Sequence, residues 1–240
     1  MTAVPALEVR ALTARHGQLT AVDGVGFSVP AGSVFALVGA NGAGKSTLLR
    51  TIAGLHRPVA GSVHLHGDDV TATGPERRVG RGLVLVPEGR RLFPSLSVHE
   101  NLRVGLARRR PGQWDIDRVL DLFPWMKERR NQPAGQLSGG EQQAVAIGRA
   151  LVANPSVLLL DEISLGLAPV VVQRIYGLLP ALLTTGMTVV LVEQDVSQAL
   201  AVADQVQCLL EGRTVLDGVP AQLTGPQIEA AYFGLAGAGR

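Results

Sequence analysis

Cysteine, lysine and aromatic side chains are the scarce residues of this 240-residue chain. Its single cysteine, Cys208, excludes an intramolecular disulfide framework and agrees with a reducing compartment. Aromatics make up only 4% of the residues, and none interleaves the arginine clusters at Arg90-Arg91, Arg108-Arg109-Arg110 and Arg129-Arg130. Without platforms on which bases stack, these clusters read as solvated surface, and no nucleic-acid partner is expected. No run approaches the ~20 apolar residues that cross a bilayer. The first ten residues lack the basic and then apolar stretches of a secretory signal, so a cytoplasmic chain is expected. What is plentiful is hydrophobic, at 46% against 18% charged, which suits a single large α/β domain with Ala, Val and Leu in its core.

Although Lys and Arg together number 22, only Lys45 and Lys127 are lysines. Lys45 closes a G-x-x-x-x-G-K-[ST] spacing in Gly39-Ala40-Asn41-Gly42-Ala43-Gly44-Lys45-Ser46-Thr47. A short apolar strand is expected before it, over 33–38, and a helix after it, over 46–53, which is the context this motif requires. Glycines let the backbone turn with its N–H groups inward, so that amides and the positive end of a helix converge on a polyphosphate. Lys45 is expected to reach the terminal phosphates, and the Ser46 hydroxyl to ligate Mg²⁺.

Upstream, weak alternation over 7–14 and 21–29 reads as two strands, and 61–67 as a third on which His64 and His66 share a face. Lacking a third ligand, that pair is not read as a metal site. These strands form a small, partly antiparallel sheet beside the core. The apolar run at 82–86 is a buried strand stopped by Pro87. From 90 to 136 the chain turns arginine-rich and proline-interrupted, with helices from the Ser97/Glu100 capping spacing to about 107 and over 116–123; this is read as an inserted helical subdomain. Beyond it, helices are expected near 141–153, 169–183 and 196–203, alternating with strands at 157–160, 187–192 and 206–210. Such alternation implies a mostly parallel sheet whose chemistry sits at the strands' carboxyl ends. The closing residues, 230–240, are expected to form a flexible tail.

Asp161 and Glu162 end one of these strands. An acidic pair after a strand also suits a polar turn, but a Mg-nucleotide site needs carboxylates here: Asp161 to hold the metal with Ser46, and Glu162 to act as general base on water. Leu137-Ser138-Gly139-Gly140-Glu141 then resembles the signature of ABC-type ATPases, lying between phosphate loop and Asp161 as in that family. By itself it is also an ordinary Ser-x-x-Glu helix cap. The resemblance extends from about residue 7 to 223. It implies a P-loop fold with an N-terminal antiparallel β subdomain and a helical insert, and ATP and Mg²⁺ as cofactors. It also implies that residues 137–141 grip the ATP of an opposite subunit.

Within the family, the segments 86–94, 96–102, 164–169 and 191–195 resemble ATPase subunits of branched-chain (hydrophobic) amino-acid uptake systems. Urea or amide importers look similar, and outside transport a soluble ABC-type nucleotide switch is the alternative. The resemblance implies a peripheral position on the cytoplasmic face of the membrane, with two transmembrane permease subunits and a second, non-identical ATPase. An extracytoplasmic solute-binding protein would take part indirectly. Several positions depart from the wider family. His16 replaces the aromatic residue that stacks on adenine, Glu88 replaces a glutamine at the metal, and Ile163 replaces a proline. Leu165 and Ala168 replace polar residues, and Gln194 stands where a histidine senses the γ-phosphate and aids catalysis.

Overall fold

A computed structural model describes residues 3–234. Strands β1 (Leu7–His16) and β2 (Leu19–Val29) form a hairpin that brings His16 opposite Leu19, and β3 (Val34–Val38) leads through the phosphate loop into α1 (Lys45–Ile52). β4 (Ala60–Leu65) returns along the other edge of β1, followed by β5 (Asp68–Asp69), α2 (Pro75–Gly80) and β6 (Leu83–Val86). Residues 90–136 hold α3 (Val98–Val104), α4 (Ile116–Leu122) and α5 (Trp125–Glu128). The remainder runs α6 (Gly139–Val152), β7 (Val157–Asp161), α7 (Pro169–Tyr176), α8 (Leu179–Leu183), β8 (Thr188–Glu193), α9 (Val196–Val202), β9 (Gln205–Leu210), β10 (Arg213–Gly218) and α10 (Gly225–Phe233).

Two sheets result. The first is antiparallel in the order β2-β1-β4-β5; the second has the order β10-β9-β3-β8-β7-β6 and is parallel except for β10. Four of the parallel strands, β3, β6, β7 and β8, are almost wholly apolar because both faces are covered. Alternate residues feed two cores. Phe35, Leu37, Leu159 and Val190 pack toward the antiparallel sheet and α1, whereas Val34, Leu158, Leu160 and Leu191 pack toward α6 and the helices of 90–136. Register sets the site: Val38 pairs with Glu193, and Asp161 pairs with Val192. The carboxyl ends of three adjacent strands thereby bring residues 39–47, 161–162 and 193–194 into one row.

Some expectations need correction. The helix expected over 169–183 is two helices, because Pro180 has no N–H to give and its ring would crowd the carbonyl four residues back. His66 does not share a strand face with His64: β4 ends at Leu65, and His66 turns out at φ +51° to place Nε2 2.8 Å from the Ser156 hydroxyl. α6 opens at Gly139, where Ser138 and Glu141 form the capping box that the Ser-x-x-Glu spacing implies. Residues 230–233, expected as tail, belong to α10, and 235–240 lie outside the described residues. Strand β10 and helix α2 are not expected from the sequence; β10 is an edge strand whose mostly exposed residues carry no apolar pattern.

Candidate active site

The phosphate loop is shaped by close backbone approach. Gly39 and Gly44 have φ of +153° and +98°, and a Cβ on either would drive into a carbonyl, that of Leu209 or of Ala21. Gly44 caps α1 without a side-chain hydrogen bond, so the first-turn amides of that helix stay open to an anion. Of the loop, Asn41, Gly42, Gly44, Lys45, Ser46 and Thr47 wall a cavity of about 450 Å³, whereas the expected site residues Gly39, Ala40 and Ala43 do not line it, Ala43 being packed in the core. The cavity's rim also takes His16, Leu19, Glu88, Glu162, Leu165 and Gln194.

Lys45, 3% exposed, is folded back on its own loop. Its Nζ donates to the carbonyls of Gly39 (2.7 Å) and Ala40 (3.0 Å) and pairs with Glu162 Oε1 at 3.2 Å. Glu162 has a φ of +47°, a left-handed conformation costly for a residue with a Cβ, and its amide donates to Val192 O at 3.0 Å. Gln194 Nε2 donates to Glu162 Oε2 at 3.0 Å and also meets Asn41 Oδ1. Lysine, carboxylate and amide thus converge on the cavity wall from segments far apart in the chain.

The Ser46 hydroxyl donates to Asp161 Oδ1 at 2.9 Å, which leaves Asp161 Oδ2 buried with no partner. Burial pushes the Asp161 carboxyl above its ordinary value; the Ser46 hydrogen bond opposes this, and the charges of Glu162 and Glu88 add to it. An orphaned carboxylate oxygen beside a hydroxyl, with a half-buried Glu88 on the same cavity, is a donor set of hard oxygens that fits a small divalent cation. His16 also lines the cavity, exposed, with Nε2 3.2 Å from Thr47 Oγ1 and its ring centroid 4.8 Å from that of His56. His56 was not singled out from the sequence, because its proximity depends on the pairing of β1 with α1.

Leu137, Ser138, Gly139, Gly140 and Glu141 are not part of this cavity. Ser138, Gly140 and Glu141 instead line a separate space of about 640 Å³ together with Trp125, Val171 and Arg174. Ser138 Oγ caps α6, and Glu141 also pairs with Arg129 at 2.7 Å. Three residues that the sequence did not mark as functional stand directly behind the site: Ser164, Tyr176 and Glu193, joined by hydrogen bonds. Glu193 closes an apolar run beside Gln194 and Ser164 opens the segment 164–169, but nothing in the sequence joins the two or brings in Tyr176.

A family model described as ABC transporter matches residues 22–164. The chain is 45% identical over 222 residues to the high-affinity branched-chain amino acid transport ATP-binding protein BraG of Pseudomonas aeruginosa, covering 91% of this chain and 95% of that one. It is 35% identical to the probable branched-chain amino acid transport ATP-binding protein LivF of Archaeoglobus fulgidus, covering 88% and 91% of the two chains. Among solved structures, an ATP-binding cassette of an ABC transporter in its ADP conformation superposes with a TM-score of 0.85 at 26% identity, covering 96% of this chain and 99% of the other.

Proposed function

The chain belongs to the ABC transporter ATP-binding family, and from that premise we propose that it is the ATP-hydrolysing subunit of a membrane importer for branched-chain or other hydrophobic amino acids. The observation that carries the hydrolytic part is Glu162, held at the wall of the phosphate-loop cavity by Lys45 at 3.2 Å and Gln194 at 3.0 Å. Lys45 is held on Glu162 and two loop carbonyls. A polyphosphate in the loop gives Lys45 a stronger anionic partner and frees the Glu162 carboxylate to take a proton from water. Gln194, one hydrogen bond from Glu162, donates to the γ-phosphate, as an uncharged sensor. His16 would stack on the adenine ring, with less ring area than a larger aromatic gives. Mg²⁺ would be held by Ser46, Asp161 and Glu88 and would supply positive charge to offset that of the phosphates.

Residues 137–141 lie off this cavity, which supports their reading as the grip on the ATP of an opposite, non-identical ATPase subunit. ATP binding then closes two subunits and hydrolysis reopens them, and two permease subunits convert the motion into alternating access for solute handed over by an extracytoplasmic binding protein. Residues 90–136 form the helical subdomain that receives the permease. Among the described residues no helix is long and apolar enough to cross a membrane, and the likeness to transporter ATP-binding proteins supports peripheral attachment on the cytoplasmic face. The substrate assignment rests on likeness to the BraG and LivF proteins, because the solute does not touch this subunit.

The test is purification of the tagged chain from detergent-solubilised native membranes. Two polytopic membrane proteins and a second ATPase are expected to co-purify. Ribosomal or DNA-associated proteins in their place would overturn the transport reading.

A further inference from the structure

Behind the catalytic row, the Glu193 carboxylate is 1% exposed and stands one residue before Gln194. It accepts three hydrogen bonds. The Ser164 hydroxyl reaches Oε2 at 2.6 Å, while the Tyr176 hydroxyl at 2.6 Å and the Ser164 amide at 3.3 Å share Oε1. Burial, and then the neighbouring Glu193 charge, pushes the Tyr176 phenol above its ordinary value, which keeps it a donor. A carboxylate at this depth is costly unless its oxygens are satisfied, and here hydroxyls and an amide satisfy them in place of a cation.

The sequence positions give the cluster its meaning. Ser164 lies two residues after Glu162, and Glu193 one residue before Gln194, so the ends of β7 and β8 are joined twice. On the cavity side Gln194 donates to Glu162; behind it Ser164 donates to Glu193. Tyr176, the last residue of α7, adds the helix that follows the segment 164–168. Along that segment Leu165 is exposed on the rim of the phosphate-loop cavity, so a displacement there is transmitted through Ser164 and Glu193 to the backbone carrying Gln194.

We infer that Glu193 is a positioning residue: it anchors the segment 164–168 and the end of α7 to the backbone of Gln194, and so holds Gln194 and Glu162 in the registry that turnover requires. The inference rests on the ATPase reading given above. Glutamine at 193 can keep the anchor, with its carbonyl accepting from Tyr176 and its amide donating to a rotated Ser164 hydroxyl. Alanine cannot.

The experiment measures kcat and KM for MgATP, with the thermal midpoint, in the assembled complex carrying Glu193→Gln, Glu193→Ala, Ser164→Ala or Tyr176→Phe. Because small displacements of catalytic groups cost up to about 100-fold, Glu193→Ala is expected to lower kcat by about 10- to 100-fold and each hydroxyl deletion by about 3- to 10-fold, with KM within about threefold. Glu193→Gln is expected to stay within about threefold of the parent in kcat. Ser164→Ala and Tyr176→Phe each remove one hydroxyl from an otherwise intact chain, so they carry the test if Glu193→Ala fails to fold. A fall in thermal midpoint with kcat unchanged in Tyr176→Phe and Ser164→Ala would reduce the cluster to packing and overturn the inference. Glu193→Gln as damaged as Glu193→Ala would overturn it as well, by showing that charge and not anchoring matters. A parent complex without Glu162-dependent turnover would overturn the ATPase reading itself, and this inference with it.

Discussion

At the scale of single residues, Glu162 combines features that rarely meet by accident. Its backbone is left-handed at φ +47°, which costs on the order of 1–3 kcal/mol, and its carboxylate is buried between a lysine and an amide. Such a conformation persists only where the surroundings over-determine it; here the Glu162 amide is fixed to Val192 O and the side chain to Lys45 and Gln194. Replacing Glu162 with Gln removes the proton acceptor and the negative charge that competes with phosphate for Lys45. Phosphate-release assays should then show turnover reduced ~10²–10⁴-fold, while nucleotide titration shows binding as tight as in the parent or tighter. Turnover at the parent rate would refute the general-base assignment.

Between elements, the attachment of the antiparallel sheet to the parallel one includes a titratable contact. His66, in the turn after β4, meets Ser156 just before β7. Burial, with the nearby Arg110 charge, holds its imidazole below the ordinary value, and Asp68 opposes this only in part. A histidine depressed on folding binds more proton when unfolded, so its stabilising contribution is complete above the ordinary value near 6.5 and is lost as pH falls through the folded one. The thermal midpoint of the parent should therefore fall more steeply from pH 7 to pH 5 than that of His66→Gln, on the order of the range where histidine titrates. Parallel curves would remove His66 from the acid response. The same contact shows why only part of the architecture was legible in the sequence. Residues 39–47 and 161–162 announce themselves because their chemistry is local: glycines, a lysine and acids at fixed spacing beside apolar strands. His66 with Ser156, His16 with His56, and Glu193 with Ser164 join distant segments, and nothing in either segment alone marks the pair. The break between α7 and α8 falls at Gly177–Pro180, where Pro180 has no N–H to continue the helix.

For the whole molecule, the decisive feature is a separation: the phosphate loop and residues 137–141 belong to different cavities of one chain. If 137–141 complete the nucleotide site of an opposite subunit, closure must depend on MgATP and on Ser138 beyond its capping of α6. Those two roles can be pulled apart, because aspartate caps a helix about as well as serine yet brings a negative charge to the place where a phosphate would be gripped. In a Glu162→Gln background, where lost hydrolysis is expected to hold a closed state, MgATP is expected to shift the chain in size-exclusion chromatography into an assembly with the proposed second ATPase subunit. Chelating Mg²⁺ with EDTA should return both to separate elution. Adding Ser138→Asp should leave the thermal midpoint and the chain's own MgATP binding near the parent values, since α6 keeps its cap and the phosphate loop is untouched, but should abolish the assembly. An assembly that survives both EDTA and Ser138→Asp would mean that the subunits associate through surfaces unconnected with nucleotide, and the signature helix would then be a capped helix and nothing more.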